Sequence, residues 1–307
     1  MVRIHLDTDI GGDIDDVCAL AMLLRWPNAE LTGVTTVMEE NGRRAGYARY
    51  VLRLAGREEV PVAAGADVSL ERFRELPGYP DEASYWPEPV PAAPGPLEEA
   101  LELLKASIEA EAVIAAIGPF TNLALLEERY PGILARARLV LMGGYIRPIR
   151  PGFPYRPPQS DYNVQQDVAA ARRVFESANP LLVPLTVTVE TAFRREYLAG
   201  LRHSGPLGAL VARQGEAHDA EYGNSARFGA TCSGLADDIL NFQHDPLAVA
   251  VALGWDEVAI ETLPLVLREE DGWLLEEERP DGKLTRVVTA VDGPRFNDLW
   301  YQRIAAR

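Results

Sequence analysis

Short apolar runs alternate with helix-period segments over the first two-thirds of this 307-residue chain. That alternation restricts the fold more than any other feature. Val2–Leu6, Leu31–Val37, Val60–Ala64, Ala112–Ile117, Arg138–Met142 and Leu181–Val189 read as strands. Asp15–Leu24, Gly46–Leu54, Leu97–Ile108, Leu123–Tyr130 and Val168–Ser177 read as helices. Parallel strands need long crossovers, and helices supply them. The expected fold is therefore α/β, a mostly parallel open sheet with helices on both faces. The last third differs. A helix within Phe242–Leu253 precedes three runs, Glu257–Leu267, Trp273–Glu278 and Leu284–Val291, parted by Glu270-Asp271-Gly272 and Pro280-Asp281-Gly282. Turn residues between short strands predict a small antiparallel meander over 256–292, and a final helix follows near Arg295–Ile304. Neither an internal repeat nor a clean linker is visible. Residues 1–307 therefore read as a single domain with the meander appended, the alternative being a separate C-terminal module.

Composition narrows the function. Apolar residues make up 47% of the chain, enough for a substantial core. The formal net charge of -16 argues against a nucleic-acid or anionic-membrane partner, because phosphate surfaces need a basic face. Cys18 and Cys232 are the two cysteines, and Cys18 falls in an apolar helix pattern. One pair is no disulfide framework, which favours a reducing compartment. Arg3, His5 and Asp7 interrupt any signal-peptide apolar core, and no apolar run approaches a membrane span. The expectation is a soluble cytoplasmic protein.

In open parallel sheets, ligands bind beyond the carboxyl ends of the strands. The first such end carries a crowd of acid. Asp7, Asp9, Asp13, Asp15 and Asp16 all fall within the first sixteen residues. A helix dipole accounts for Asp15 and Asp16, which precede the apolar run Val17–Leu24. It does not account for Asp7 and Asp9, which close a strand on one face. Gly11 and Gly12 allow a tight bend between strand and helix. Carboxylates this close repel unless a cation joins them, and oxygen ligands suit a hard divalent ion.

Three further polar turns follow strands or open helices. Gly118-Pro119-Phe120-Thr121-Asn122 offers either a helix cap or a backbone carbonyl for a cation. Asp161-Tyr162-Asn163 offers either a turn or hydrogen-bonding groups suited to sugar hydroxyls. In His244-Asp245-Pro246, Asp is a favoured cap and Pro a favoured first helical residue. The functional reading adds Asp245 to the carboxylate site, with His244 beside it as a proton donor. Residues 77–96, rich in Pro and Glu with Tyr79, Tyr85 and Trp86, and residues 147–158, with five prolines and three arginines, read as long loops. Such loops are either surface insertions or lids.

Taken in order, these segments resemble the inosine-uridine preferring nucleoside hydrolases. Asp7–Asp16 matches their aspartate fingerprint in a variant form, DxDxGxDxDD, with Asp13-Ile14 inserted. Gly33–Val37, Pro61–Gly65, Gly118–Asn122, Met142–Gly144 and His244–Ala248 also match, so the resemblance covers roughly residues 1–255. It implies an N-ribohydrolase that cleaves the bond between nucleobase and ribose, with tightly held calcium and a place in purine or pyrimidine salvage. Carried over by position, Asp9, Asp16, Asp245 and the main-chain carbonyl of Thr121 bind calcium. Asp9 is also the base that activates the attacking water. Asp15 holds the ribose 2′-hydroxyl, Asp161 and Asn163 meet the 3′ and 5′ side of the sugar, and His244 sits near the departing base. The resemblance further implies a nucleoside as the small-molecule partner, and members often form dimers or tetramers. The chain departs from the family in three places. No histidine follows the Pro61–Gly65 segment through Trp86, Glu39-Glu40 replaces a Gly-Asn pair, and the loop before the sugar motif is Gly152-Phe153-Pro154-Tyr155-Arg156. Trp86, His218 and Tyr222 are candidates for stacking on the base or donating to it, against a plain core or surface reading of each.

Three other functions compete. A haloacid-dehalogenase-type phosphotransferase also has a strand-end DxD, but expects Thr or Val soon after it and a later lysine. Here Ile10-Gly11-Gly12 follows, and the lysines are only Lys105 and Lys283. The others keep the nucleoside hydrolase fold, either as a non-catalytic nucleoside or sugar binder or as a hydrolase of a non-standard riboside.

Overall fold

The computed structural model describes residues 1–71 and 81–306. Residues 77–80 of the first expected loop, Tyr79 among them, lie outside the described residues. The strands are β1 (Val2–Thr8), β2 (Ala29–Thr36), β3 (Val62–Ala64), β4 (Val113–Ala116), β5 (Arg138–Met142), β6 (Leu181–Val183), β7 (Ala192–Arg194), β8 (Ile239–Phe242), β9 (Val258–Glu270), β10 (Trp273–Glu278) and β11 (Lys283–Val291). The first six helices are α1 (Asp15–Leu24), α2 (Arg43–Leu54), α3 (Glu82–Tyr85), α4 (Leu97–Glu109), α5 (Thr121–Arg129) and α6 (Tyr162–Gln165). The remainder are α7 (Val168–Ser177), α8 (Leu185–Thr188), α9 (Leu198–Arg202), α10 (Pro206–Tyr222), α11 (His244–Ala252) and α12 (Gly293–Ala305).

Nine strands form one sheet in the order β10-β9-β11-β6-β5-β4-β1-β2-β3. From β11 to β3 every neighbour is parallel, while β9 runs antiparallel to both β10 and β11. The mostly parallel sheet and the antiparallel C-terminal strands are thus as expected. Their order is not sequential, because the long β9 lies between β10 and β11. Nor do they stand off as an appendage, since β11 pairs in parallel with β6 and continues the sheet.

Side chains alternate between two apolar layers. Val113 and Ala115 of β4, with Val140 and Met142 of β5, join the layer holding α1, α10, α11 and α12. Ile114, Ala116, Leu139 and Leu141 join the layer holding α4, α5 and α7. That is the period-2 alternation of strands buried on both faces. Helix α1 is buried along nearly its whole length, so its apolar run needs no solvent face.

One expected strand is shorter than its sequence suggests. Leu181–Val189 is rich in β-branched residues, but β6 stops at Val183. Pro184 cannot donate to a ladder, and the chain turns into α8. The turn matters, because it brings Leu185 and Thr188 to the site.

Candidate active site

Beyond the carboxyl ends of β1, β4 and β5 lies a cavity of about 410 Å³ lined in part by Asp9, Asp13, Asp15, Asp16, Asn163, His244 and Asp245. That size falls within the usual range for small-molecule sites. Asp9 follows β1 directly. Asp15 and Asp16 form the first turn of α1, and Asp245 the first turn of α11. The two helix N-termini meet there, with the Asp245 amide donating to Asp15 Oδ2 at 3.4 Å. Both dipoles present their positive ends to the carboxylates. Ligand oxygens of Asp15, Asp16 and Asp245 all lie within 4.8 Å of one another.

The backbone is shaped to allow this. Gly11 has φ +107, and a Cβ there would lie 2.4 Å from the Tyr47 ring. Gly118 passes so close to Asp9 that a Cβ would lie 2.8 Å from Asp9 Oδ1. Asp7 does different work from Asp9, although strand periodicity puts the two on one face. Its Oδ1 accepts from the Thr35 hydroxyl at 2.5 Å and from Asn122 Nδ2 at 2.8 Å, which ties β1 to β2 and α5. Burial pushes the Asp7 carboxyl up to about 7.

Charge is unbalanced at this end. Burial is the largest influence on Asp9, raising it to about 6. It also raises Asp15, Asp16 and Asp245 well above the carboxylate range, and mutual repulsion adds to it. Arg44, buried on α2, eases Asp9 and Asp16. Its guanidinium also donates to the carbonyls of Met38 and Ile10, at 2.7 and 3.2 Å. The donor set is all oxygen, desolvated and net negative, which suits a hard divalent cation.

A model of the inosine-uridine preferring nucleoside hydrolase family matches residues 4–298. The chain belongs to that family. Among its relatives, a pyrimidine-specific ribonucleoside hydrolase of Citrobacter koseri is 28% identical over 91% of this chain and 85% of its own length. A plant nucleoside hydrolase of known structure superposes with a TM-score of 0.78 at 22% identity, covering 100% of this chain and 99% of the other. A purine-preferring ribonucleoside hydrolase from Gardnerella vaginalis gives 0.77 at 23%, with 99% and 98% covered. These two structural likenesses speak to the fold, which is that of nucleoside hydrolases.

The structure brings Asp9, Asp15, Asp16, Asn163, His244 and Asp245 together at the cavity of this nucleoside hydrolase fold. Asn163 Nδ2 donates to the carbonyls of Ile117 at 2.9 Å and Met142 at 3.1 Å. Two carbonyl partners identify the nitrogen and leave Oδ1 for a ligand. Asp161 and Thr121 are not among the lining residues. Asp161 caps α6, its Oδ2 accepting from the Gly144 amide at 2.5 Å and its Oδ1 from the Val164 amide at 3.4 Å. Its carboxylate accepts from backbone because burial demands partners, and it shapes the turn that carries Asn163. Thr121 is fully buried at the start of α5, with its hydroxyl donating to Asp167 at 2.6 Å.

The other end of the cavity holds what sequence reading largely missed. It is built from Arg156, His218, Tyr222, Asn224, Arg227, Phe228, Asn241 and Phe242. His244 stacks on Phe242 with ring centres 5.3 Å apart, and its Nδ1 lies 2.7 Å from the Thr188 hydroxyl. Burial, then the Arg156 guanidinium, pulls the His244 imidazole down to about 4. The inserted Asp13 takes a side-chain bond from Asn241 at 2.5 Å. Of the three aromatic candidates, His218 and Tyr222 line the cavity. Trp86 is core, stacked on Tyr47 at 4.3 Å. The sequence signal for Arg156 was its place in the proline-rich 147–158 loop. For Arg44 it was a charged residue on the inner face of an otherwise buried helix.

Proposed function

We propose that this chain is a calcium-dependent N-ribohydrolase that uses water to split ribonucleosides into ribose and free base. The observation that carries the reading is the convergence of Asp9, Asp15, Asp16 and Asp245, from one strand end and two helix N-termini, on one end of a nucleoside-sized cavity. Asp9, Asp16, Asp245 and the Thr121 carbonyl are the proposed calcium ligands. Calcium, when bound, supplies the positive charge that lets these carboxylates ionise together and makes water a better nucleophile.

The remaining roles follow from the chain's own groups. Asp9 takes the proton from the attacking water. Asp15 accepts from the ribose 2′-hydroxyl, and Asn163 Oδ1 accepts from a hydroxyl on the 3′ or 5′ side. Cleavage passes through a ribosyl cation of oxocarbenium character, as in glycoside hydrolysis, and the surrounding carboxylates stabilise that charge. His244 donates to the departing base. Thr188 Oγ1, 2.7 Å from Nδ1, holds the ring in place and leaves Nε2 as the nitrogen for the base.

The test is release of free ribose from a panel of common purine and pyrimidine nucleosides, with and without a chelator given time to strip the metal. The panel covers both base classes because the two named relatives differ in theirs. Release that the chelator abolishes and added calcium restores is expected. Binding of nucleosides without release, with calcium demonstrably present, would overturn the hydrolase reading in favour of a binder of the same fold. Loss restored equally by magnesium would overturn the choice of calcium.

A further inference from the structure

Arg156 and Arg227 are a second charged group in the cavity, distinct from the carboxylates. Their guanidinium carbons lie 5.3 and 5.0 Å from the centre of the Phe228 ring. Arg156 also lies 5.4 Å from the centre of Phe242. Its Nε is buried without a hydrogen-bond partner. Among the described residues neither arginine forms an ion pair, whereas Arg147, Arg150 and Arg195 face carboxylates directly. Carboxylates are abundant in a chain of net charge -16. Two guanidiniums gathered around one aromatic ring repel each other unless an anion joins them.

The pair is held in place by its own loop and turn. Arg150 forms a two-pronged bond to the buried Glu190, and the Gly152 carbonyl accepts from the Gly234 amide at 2.9 Å, which anchors the loop before Arg156. Arg227 sits on the π-helical turn Ser225–Gly229, a feature frequent at functional sites. Asp13 acts electrostatically on Arg156, and Arg156 on His244, while Asp9 and Asp16 answer to Arg44. Asp13 acts on Arg156 through space but forms no ion pair with either arginine among the described residues, and its Oδ1 accepts from Asn241 and the Ile14 amide, both at 2.5 Å. The cavity therefore carries acid at Asp9, Asp15, Asp16 and Asp245 and a basic pair at Arg156 and Arg227.

We propose that Arg156, assisted by Arg227, selects substrates that carry a negatively charged oxyacid group at the end of the cavity away from Asp9, Asp15, Asp16 and Asp245. Planar guanidinium forks match phosphate and carboxylate oxygens in pairs. The group has two chemical sources, a phosphate on the ribose 5′ carbon or an acidic substituent on the base. The inference takes its riboside from the hydrolase reading, so the test has a readout that does not need turnover.

Calorimetric binding to the calcium-loaded protein comes first, ribose 5-phosphate against ribose and orotidine against uridine. Values of kcat/KM for uridine, uridine 5′-monophosphate and orotidine follow. Each is measured in the native chain, in Arg156→Gln and in Arg156→Lys, with thermal melting to show that the variants fold. One charged compound is expected to exceed its neutral counterpart by roughly 10- to 100-fold, the size of charge-assisted hydrogen bonds. Arg156→Gln removes that advantage, read as the ratio of charged to neutral ligand, while Arg156→Lys keeps part of it. A preference for ribose 5-phosphate and the monophosphate assigns the group to the sugar, and a preference for orotidine assigns it to the base. Charged and neutral ligands behaving alike would overturn the proposal. So would an Arg156→Gln variant that slows uridine and the charged substrates equally, because Arg156 would then serve the departing base in general. Arg156-dependent binding without any hydrolysis would uphold the anion site and sink the hydrolase reading.

Discussion

At one end of the cavity, Asp9, Asp15, Asp16 and Asp245 stand just past a parallel strand and on the first turns of two buried helices. At the other end, Arg156, Tyr222, Arg227 and Phe228 stand on a proline-rich loop, the end of α10 and a π-helical turn. The first end is a product of regular structure, and the sheet and core that place it involve most of the chain. The second is a product of connections, which change without disturbing the core. The difference teaches a division of labour. The regular end is suited to what every riboside shares, the ribose and its developing charge, and the irregular end to what distinguishes one riboside from another.

The largest expected effect tests the regular end. Asp9→Ala should lower turnover on the order of 10⁴-fold, the upper range for proton-transfer groups, and weaken calcium binding measured by calorimetry. An unchanged rate would break the assignment of chemistry to that end. Where the two ends meet, on the first turn of α11, His244→Ala should cost about 10²-fold on natural nucleosides and far less on p-nitrophenyl riboside, whose leaving group needs no proton. Equal losses on the two substrates would remove His244 as the donor.

Smaller effects sharpen the boundary between scaffold and cavity. Gly11→Ala meets both a left-handed φ and the Tyr47 ring, and should destabilise by roughly 1–3 kcal/mol in chemical denaturation. Gly12→Ala has its nearest side-chain atom at 3.9 Å and should stay within about 0.5 kcal/mol. If the two variants melt alike, the tight bend is not what shapes the carboxylate end. Behind the cavity, Glu276 on β10 accepts from the Tyr145 amide at 3.0 Å, and its Oε1 has no partner. Burial, then the Asp161 carboxylate, raises it to about 8. A raised carboxyl favours the protonated fold, so its contribution is intact below about pH 4.5 and is lost as pH rises toward 8. Glu276→Gln mimics the protonated form. It should therefore match the native chain at pH 4.5 and exceed it by about 1–2 kcal/mol at pH 8. A gap of constant size across that range would count against the titration.

How much is legible along the chain follows the same division. The strand–helix alternation is readable through β6 because each element carries its own period. Helix α11 and the C-terminal strands are readable for the same reason. Asp9, Asp15, Asp16 and Asp245 stand out because carboxylates crowded at strand and helix ends repel one another unless a cation joins them. The segment from β7 to the π-helical turn is far less legible, although Pro206 and Gly223 mark the start and end of α10. Asp161 resembles a ligand in the sequence because it is a polar residue beside Asn163. Only the fold shows that its oxygens serve the Gly144 and Val164 amides.

The sequence by itself determined the α/β class, the family and the acidic end of the site, because those depend on local periodicity and on residues close together in the chain. Tertiary structure alone decided that β9 lies between its two partners, that Trp86 belongs to the core, and that Arg156 and Arg227 both lie over Phe228. Such meetings join residues far apart in the chain, and they depend on which surfaces the core leaves facing one another. No pattern along the chain records that choice.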